Sequence, residues 1–176
     1  MIRKPIGAVQ GVTTQFGLLR TRPQTGADEG FLFRLFESVK GVDFAQMPID
    51  PSMKSHLMQM QYRAMNGSYR ASCPDAAFEI ITLDDMPIGR LICDTMKDRL
   101  QVVYIALETD WRHRGLGTTL MRMLMAQAES LHLGCQATVA IDNLPSLGLW
   151  AKLGFVERTR DAANVVVVWD PAVSLG

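Results

Sequence analysis

A basic, glycine-containing segment in the middle of the chain has residue types and spacing suited to binding an anion. The segment RHRGLG at residues 112–117 follows the apolar run 102–107 and precedes an amphipathic helical pattern that starts at Thr118. Glycines let the backbone turn sharply and come close to a ligand. The unpaired amides and the dipole at the start of a helix attract negative charge. The pattern therefore predicts a site for a phosphate or pyrophosphate.

Other phosphate-binding motifs fit this segment less well. A dinucleotide-binding fingerprint needs a third glycine where Leu120 stands, and an acidic residue about 20 positions later. A nucleotide P-loop needs lysine and then serine or threonine after the last glycine, where this chain has Thr118 and Thr119. A basic turn that only faces solvent is the competing interpretation, and the segment alone does not decide between them.

A second motif, NLPSLGLWAKLGF, occupies residues 143–155. Asn143 is a favourable helix N-cap, Pro145 is tolerated in a first turn, and Gly154 is typical of a helix end. Arg-x-x-Gly-x-Gly after a strand, followed by Asn-x-x-Ser-x-x-Leu-Trp-x-x-Leu-Gly-Phe, resembles the GNAT acyltransferase superfamily over about residues 76–169. The resemblance implies an enzyme that transfers an acetyl group from its co-substrate acetyl-CoA to an amine.

The hydrophobic periodicity predicts an α/β fold with a mixed sheet. The expected strands are 16–22, 76–83, 87–93, 100–107, 136–141, 155–160 and 165–169. One expected helix begins after Thr25, and the other three cover 52–69, 118–133 and 143–153. An antiparallel meander thus precedes a strand–helix–strand crossover, which makes strands 100–107 and 136–141 parallel. We expect these two strands to splay apart at their carboxyl ends, with helices on both faces of a GNAT-like sheet.

The resemblance assigns roles to the residues of both motifs. The CoA pyrophosphate would bind the amides from Arg112 to Thr118, and the pantetheine arm would pair like an extra strand with residues 105–107. The amide of Leu107 would polarise the thioester carbonyl and stabilise the oxyanion. Asn143 and Ser146 match cofactor contacts of the family, although helix capping explains them equally well. The expected cofactor contacts are Ile105, Ala106, Leu107, Arg112, His113, Arg114, Gly115, Leu116, Gly117, Thr118, Asn143, Ser146 and Trp150.

The chain departs from the family at the positions that transfer protons. An amine must lose a proton before it attacks. Many members carry an acid early in the central strand or in the next parallel strand, where this chain has Gln101 and Thr138. The remaining candidates for the base are Tyr104, Glu108, Glu79 and Asp94. We retain Tyr104 and Glu108 beside Leu107 as the catalytic candidates.

A second departure concerns the departing thiolate. The family commonly places a tyrosine in the last helix to protonate it, and this chain has Trp150 at that position. An indole N–H donates a hydrogen bond but is not a useful acid. A thiol pKa near 8.5 makes the thiolate a tolerable leaving group without an acid.

The first third of the chain carries no motif that identifies the acceptor. The helix 52–69 has two apolar rows. Three alternatives account for the second row: it lines a substrate pocket, it forms a subunit contact, or the helix is buried on two sides. The resemblance places this helix and the preceding loop 42–51 beside the acceptor, so Phe44, Met47 and Tyr62 are the expected substrate contacts. The acceptor would be the primary amine of a small molecule or peptide. An acyl-CoA-binding regulatory or interaction module is the alternative function, and a nucleotide-binding domain is a weaker third.

The composition limits which partners, metal sites and cellular compartments are expected. Among 176 residues, 18 basic side chains balance 18 acidic ones, which gives no reason to expect nucleic acid or a membrane as partner. Three cysteines without C-x-x-C spacing and three histidines without a ligand pair predict no metal and suit a reducing compartment. We expect a cytoplasmic protein with an arm at 1–14, one domain at 15–170 and a tail at 171–176. The family resemblance leaves a homodimer open.

Overall fold

Alternating and helical hydrophobic patterns produce one mixed sheet between two layers of helices. The structure is a computed structural model that describes residues 11–171. Its strands are β1 (Val12–Thr14), β2 (Gly17–Pro23), β3 (Ala77–Leu83), β4 (Met86–Thr95), β5 (Arg99–Leu107), β6 (Gly134–Ala140), β7 (Val156–Arg160) and β8 (Asn164–Trp169). Its helices are α1 (Glu29–Ala45), α2 (Pro51–Ser72), α3 (Leu116–Ser130) and α4 (Leu144–Lys152).

The sheet has the order β1-β2-β3-β4-β5-β6-β8-β7. Strands β5 and β6 run parallel and every other neighbouring pair is antiparallel. This arrangement confirms the predicted meander, crossover and mixed α/β class. Helices α3 and α4 pack on one face around Leu120 and Trp150, while α1 and α2 pack on the other around Leu35 and Tyr62.

A one-residue bulge in β5 reverses which side chains face each helix layer. Ile92 pairs with Tyr104, but the next residue of β4, Cys93, pairs with Val102, so Val103 is the extra residue. Val102 and Leu107 therefore both contribute to the core beneath α3, although an even and an odd position would alternate in a regular strand. Tyr104 consequently lies on the face covered by α1 and α2.

The first third of the chain differs from the sequence prediction in three details. Helix α1 continues past Gly41 to Ala45, because its final turn buries Phe44 and this burial offsets the small cost of a glycine inside a helix. The predicted loop is correspondingly shorter. Strand β1 forms inside the predicted arm by pairing with β2. Residues 1–10 of that arm and residues 172–176 of the predicted tail lie outside the described residues.

Helix α2 is buried along one of its two apolar rows. Tyr62 is 4% exposed and packs against the rings of Phe33 and Phe36. Met53 and Met60 of the other row are 54% and 53% exposed. Of the three alternatives for this second row, burial on two sides is therefore wrong, because no described element covers Met53 and Met60.

The described part of the chain gives two further negative findings. None of its helices has the length and hydropathy needed to cross a membrane. It also contains no group of three or more histidine, cysteine, aspartate or glutamate side chains that could hold a metal ion. The three cysteines are free thiols.

The sheet contains a buried carboxyl group that makes stability depend on pH. Glu79 of β3 is 4% exposed. Burial raises the pKa of this carboxyl group, and a hydrogen bond with the Thr21 side chain opposes the rise. Because the folded-state pKa exceeds that of the unfolded chain, the group contributes most stability at low pH and loses that contribution as pH rises through the folded-state pKa.

We predict that Glu79→Gln stabilises the protein relative to wild type at neutral pH, and that this advantage shrinks as the pH falls. Glutamine has a similar shape but cannot ionise, so it avoids the burial of a carboxylate. Chemical denaturation of both proteins between about pH 4 and pH 8 measures the difference in the free energy of unfolding. A difference that stays constant over this range would contradict the assignment.

Candidate active site

The two central parallel strands separate at their carboxyl ends. Pairing between β5 and β6 begins at Arg99 with Gly134 and ends at Val102 with Ala137. Both strands continue beyond this point, β5 to Leu107 and β6 to Ala140. The expected splay is therefore confirmed. It leaves one edge of β5 without a strand partner over its last residues.

Two adjacent crevices occupy the space that this separation opens. The outer crevice has a volume of about 690 Å³ and is lined by Val39, Ile105, Ala106, Leu107, Trp111, Arg112, His113, Gly115, Gly117, Thr118, Asn143, Pro145, Ser146, Leu149 and Lys152. The inner crevice, about 250 Å³, is lined by Val39, Tyr69, Val102, Val103, Tyr104, Ile105, Ala106, Ala137, Thr138, Val139, Ala140, Asn143, Ser146 and Trp150. The two share five residues, which places them side by side along β5.

The backbone of Leu107 points into the outer crevice. Glu108 donates its amide to the carbonyl of Ile88 on β4, at 2.9 Å. Successive residues of an antiparallel strand direct their polar groups to opposite sides, so the amide of Leu107 points away from β4. The Leu107 carbonyl on that same side accepts a hydrogen bond from Arg112 Nε at 2.8 Å. Its amide is therefore directed at the space that an extended ligand would fill.

The start of α3 forms the opposite wall of the outer crevice. Gly115 is the N-cap and adopts φ +77°, a left-handed conformation that glycine reaches without strain. The first main-chain bond of the helix runs from Thr119 N to Gly115 O, at 2.9 Å. The amides of residues 116–118 therefore precede any helical acceptor and remain available to a ligand. These amides and the helix dipole fit the pyrophosphate of a nucleotide-containing cofactor.

The arginines of the basic segment have different surroundings. Arg112 lines the outer crevice, and besides Leu107 it reaches Ser38 of α1, with Nη2 at 3.4 Å from Oγ. The guanidinium of Arg114 stacks instead on two rings, 5.3 Å from the centroid of Phe16 and 5.1 Å from that of Trp111. The structure therefore directs Arg114 to an aromatic pair, while Arg112 and the backbone of this segment supply the polar groups that face the crevice.

Three residues of the second motif form a hydrogen-bonded chain along α4. The Asn143 side chain caps the helix by accepting from the Ser146 amide at 3.2 Å. Trp150 Nε1 donates to Ser146 Oγ at 3.1 Å. The indole is 2% exposed and packs against Phe155 with ring centroids 4.8 Å apart. Its N–H is thus already used inside the helix, which agrees with a structural role for Trp150.

The crevices contain residues that the sequence motifs did not predict. Lys152 adds a positive charge to the outer crevice. The sequence contains a signal for this residue, because positions 143, 146, 149 and 152 follow at intervals of three and so lie on one face of the helix. Val39 of α1 and Tyr69 of α2 carried no such signal, since only the packing of α1 and α2 against β5 brings them to the inner crevice.

Of the candidate bases, only Tyr104 faces a crevice. Burial raises its pKa to about 12, so the phenol stays protonated at neutral pH. Glu108 is the N-cap of a short 3-10 turn at Thr109–Trp111 and lines neither crevice. Glu79 and Asp94 are also absent from both linings. Within the described part of the chain, no aspartate or glutamate lines either crevice.

The predicted acceptor contacts do not come together at the crevices. Phe44 is buried at the end of α1 and Met47 is half-buried in the following loop. Tyr62 lies in the core between α1 and α2. None of the three lines a crevice, and Val39 and Tyr69 occupy the wall that faces these helices.

Comparison with known proteins agrees with this geometry. The sequence matches the Acetyltransferase (GNAT) family over residues 45–155. Since the match covers more than half of the chain, the protein belongs to the acetyltransferase (GNAT) family. Members use acetyl-CoA as co-substrate and acetylate amines, so the predicted family, fold, enzyme class and cofactor are confirmed. A comparison with curated proteins gives no match.

Several solved structures have a similar fold. PaiA N-acetyltransferase from Thermoplasma acidophilum, in complex with coenzyme A, is 18% identical with a TM-score of 0.64, covering 87% of this chain and 99% of that one. RimJ from Mycobacterium smegmatis, in complex with CoA-disulfide, is 17% identical with a TM-score of 0.67, covering 96% and 90%. An acetyltransferase from Thermus thermophilus is 16% identical with a TM-score of 0.63, covering 87% and 97%. At these identities the similarity concerns the fold.

We predict that Gly117→Trp lowers the affinity for acetyl-CoA by about 100-fold or more, or about 2.7 kcal/mol. A Cβ at Gly117 would have Leu107 Cδ1 as its nearest neighbour at 3.9 Å, so the backbone accepts a side chain while an indole fills the outer crevice. Calorimetric titration with acetyl-CoA measures the loss. Gly67→Trp, at an exposed helical glycine of α2, is the matched control. Unchanged affinity of a folded Gly117→Trp protein would contradict the assignment of the cofactor site.

Proposed function

We propose that this acetyltransferase binds acetyl-CoA in the outer crevice and transfers the acetyl group directly to a primary amine of a small molecule or peptide. The observation that carries the proposal is the pairing of two sets of backbone donors across one crevice. The amides at the start of α3 form one set, and the free edge of β5 forms the other. The amine would approach through the inner crevice, from the side of α1 and α2.

The residues of the outer crevice fit the parts of the cofactor. The amides of residues 116–118 suit the pyrophosphate, and Arg112 and Lys152 add positive charge beside them. The free edge of β5 over residues 105–107 suits the amide-containing pantetheine arm, which can pair like an added strand. Asn143 and Ser146 lie where the two crevices meet. The cofactor supplies an activated acetyl thioester when it is bound.

The amide of Leu107 is the proposed electrophilic group. It points into the crevice from a strand end that Arg112 holds through the Leu107 carbonyl. A fixed backbone donor stabilises the negative charge that develops on an acyl oxygen, and removal of one such donor costs about 10²–10³ in rate. Because the donor belongs to the main chain, every residue at position 107 except proline retains it.

Among the residues that the structure describes, no carboxylate lines the crevices to accept the proton of the amine. Gln101 is held by Gln136, whose Nε2 donates to Gln101 Oε1 at 2.9 Å, and Thr138 lines the inner crevice without a titratable group. Tyr104 stays protonated, so its proposed role is to donate a hydrogen bond. The amine would lose its proton to water, which predicts that the rate rises with pH as the fraction of free amine increases.

The alternative function is an acyl-CoA-binding regulatory or interaction module with weak or no catalysis. The specific observation in its favour is the absence of aspartate and glutamate among the residues lining either crevice. The two functions differ only in turnover, because both require the same cofactor site.

The oligomeric state, the partners and the cellular location of the protein remain predictions. Free thiols at all three cysteines support a reducing, cytoplasmic compartment. Equal numbers of acidic and basic residues support the prediction that neither nucleic acid nor a membrane is a partner. The exposed side chains of Met53 and Met60 on α2 are compatible with the homodimer that the family resemblance left open.

We predict micromolar binding of acetyl-CoA in a calorimetric titration, and acetyl transfer to at least one member of an amine panel. ATP, which shares the adenosine and phosphates, is the control and should bind far more weakly because it lacks the pantetheine arm. Release of free CoA thiol measures turnover. A folded protein that binds no acetyl-CoA would contradict the proposal. Tight binding without turnover on any amine would favour the binding module.

We predict that Trp150→Tyr keeps or raises kcat. A phenol can protonate a departing thiolate, whereas the Trp150 N–H is held by Ser146. Trp150→Phe is the matched control without the hydroxyl and should not exceed wild type. Both changes remove a buried indole and should destabilise the fold by about 1–3 kcal/mol, which thermal melting measures. A loss of kcat above about tenfold in Trp150→Tyr would show that the indole itself takes part.

A further inference from the structure

A buried arginine next to the inner crevice has no acidic partner. Arg90 of β4 is 2% exposed. Its Nη1 donates to Asn66 Oδ1 at 2.6 Å and its Nη2 donates to Gln24 Oε1 at 3.1 Å. Its Nε is buried and has no hydrogen-bond partner among residues 11–171. Within residues 11–171, no carboxylate oxygen lies within 4 Å of this guanidinium, although arginines are almost never fully buried unless they are paired.

The surroundings of Arg90 leave its positive charge uncompensated. Both of its hydrogen-bond partners are neutral amides, and the ring of Phe78 lies 5.8 Å from Cζ. Arg70, with Cζ 4.7 Å from the centroid of the same ring, adds another positive charge. A guanidinium does not deprotonate in proteins, so the cluster keeps a net positive charge at every physiological pH.

This charge lies one strand away from the inner crevice. Arg90 pairs across β4 and β5 with Ala106, which lines both crevices. Its charge also acts on Tyr69 and Tyr104, two residues that line the inner crevice with ring centroids 5.7 Å apart. The field of the buried Arg90 charge is poorly screened across this one strand, since protein rather than water fills the space between Arg90 and the inner crevice.

The crevice walls do not offset this field. The charged side chains among the lining residues are basic, and no aspartate or glutamate stands among them. An amine that carries only its own ammonium group would meet positive charge from Arg90 and no carboxylate to bind it. An amine that also carries an anionic group would neutralise the field when it enters.

We propose that the acceptor is an amine that carries a carboxylate, as a free amino acid does, and that Arg90 is the residue that selects it. This inference rests on the proposed acetyl transfer and adds the substrate class. Asn66, Gln24 and Phe78 hold the guanidinium in place, so the positive charge is present before the acceptor binds. The carboxylate of the acceptor lowers the electrostatic cost of burying the Arg90 cation. A simple amine or a polyamine has no carboxylate and therefore does not gain this binding energy.

The test compares pairs of acceptors that differ only in the carboxylate and adds one polyamine. Leucine against leucinamide, phenylalanine against phenethylamine, and the polyamine spermidine provide the panel, with kcat/KM measured by release of free CoA thiol at a fixed concentration of free amine. The wild type should favour the carboxylate in each pair by about 10- to 100-fold, as expected for one partly screened charge pair. A preference for leucinamide, phenethylamine or spermidine would overturn the inference.

Variants at Arg90 test its role in this selection. Arg90→Met should reduce the ratio of kcat/KM within each pair to about threefold or less, whereas Arg90→Lys should retain most of it, since lysine keeps the charge. Arg70→Met is the matched control: it removes an exposed cation beside the same ring and should leave the ratio nearly unchanged. An unchanged ratio in a folded Arg90→Met protein would overturn the role of Arg90. If Arg90→Met does not fold, the wild-type ratio and Arg90→Lys still decide the outcome.

Acetyl-CoA binding separates a failure of this inference from a failure of the proposed function. Calorimetric titration of the wild type and the Arg90 variants should give similar affinities for acetyl-CoA, because Arg90 lies outside the lining of the outer crevice. A wild type that binds acetyl-CoA and acetylates only amines without a carboxylate overturns the acceptor class alone. A wild type that does not bind acetyl-CoA removes the proposed function and this inference with it.

Discussion

The separation of β5 from β6 is the constraint on which the rest of the structure depends. Strand pairing ends at Val102 and Ala137, and the main-chain groups that a continuous sheet would have used are left to a ligand. The same separation fixes where α3 and α4 begin, because each helix follows the carboxyl end of one of these strands. A cofactor site made largely of backbone therefore follows from topology, and side chains adjust it only locally.

Most of the fold could be predicted from the sequence, because its periodicities are strong. Each strand of the meander and the crossover helix has an apolar pattern that tertiary packing reinforces. The errors fall where local and tertiary effects oppose each other. Gly41 is a typical helix end, yet α1 continues beyond it because burial of Phe44 outweighs the small cost of a glycine inside a helix. The exposed row of Met53 on α2 was ambiguous for the same reason, since periodicity does not show what packs against a helix face.

The candidate site could be predicted to the extent that it consists of backbone. The positions of Gly115 and Leu107 follow from a strand, a turn and a helix start, all of which have sequence signals. Side-chain directions carry no such signal. Arg112 and Arg114 look equivalent in the sequence, yet one holds the end of β5 and the other stacks on Phe16 and Trp111. The surroundings of Arg90 depend on contacts between segments distant in the chain, which one sequence does not reveal.

The bulge at Val103 also determines what kind of genetic change this strand can tolerate. The one extra residue sets which side chains face each helix layer. The packing of β5 therefore depends more on the number of residues in the strand than on which residue occupies position 103. Substitutions at Val103 preserve that number. A deletion here would restore regular alternation and exchange the environments of all residues on one side of the bulge, moving either Leu100 and Val102 or Ile105 and Leu107 to the opposite layer. Divergent descendants of this sequence should therefore vary in residue type at this point while keeping the strand length unchanged.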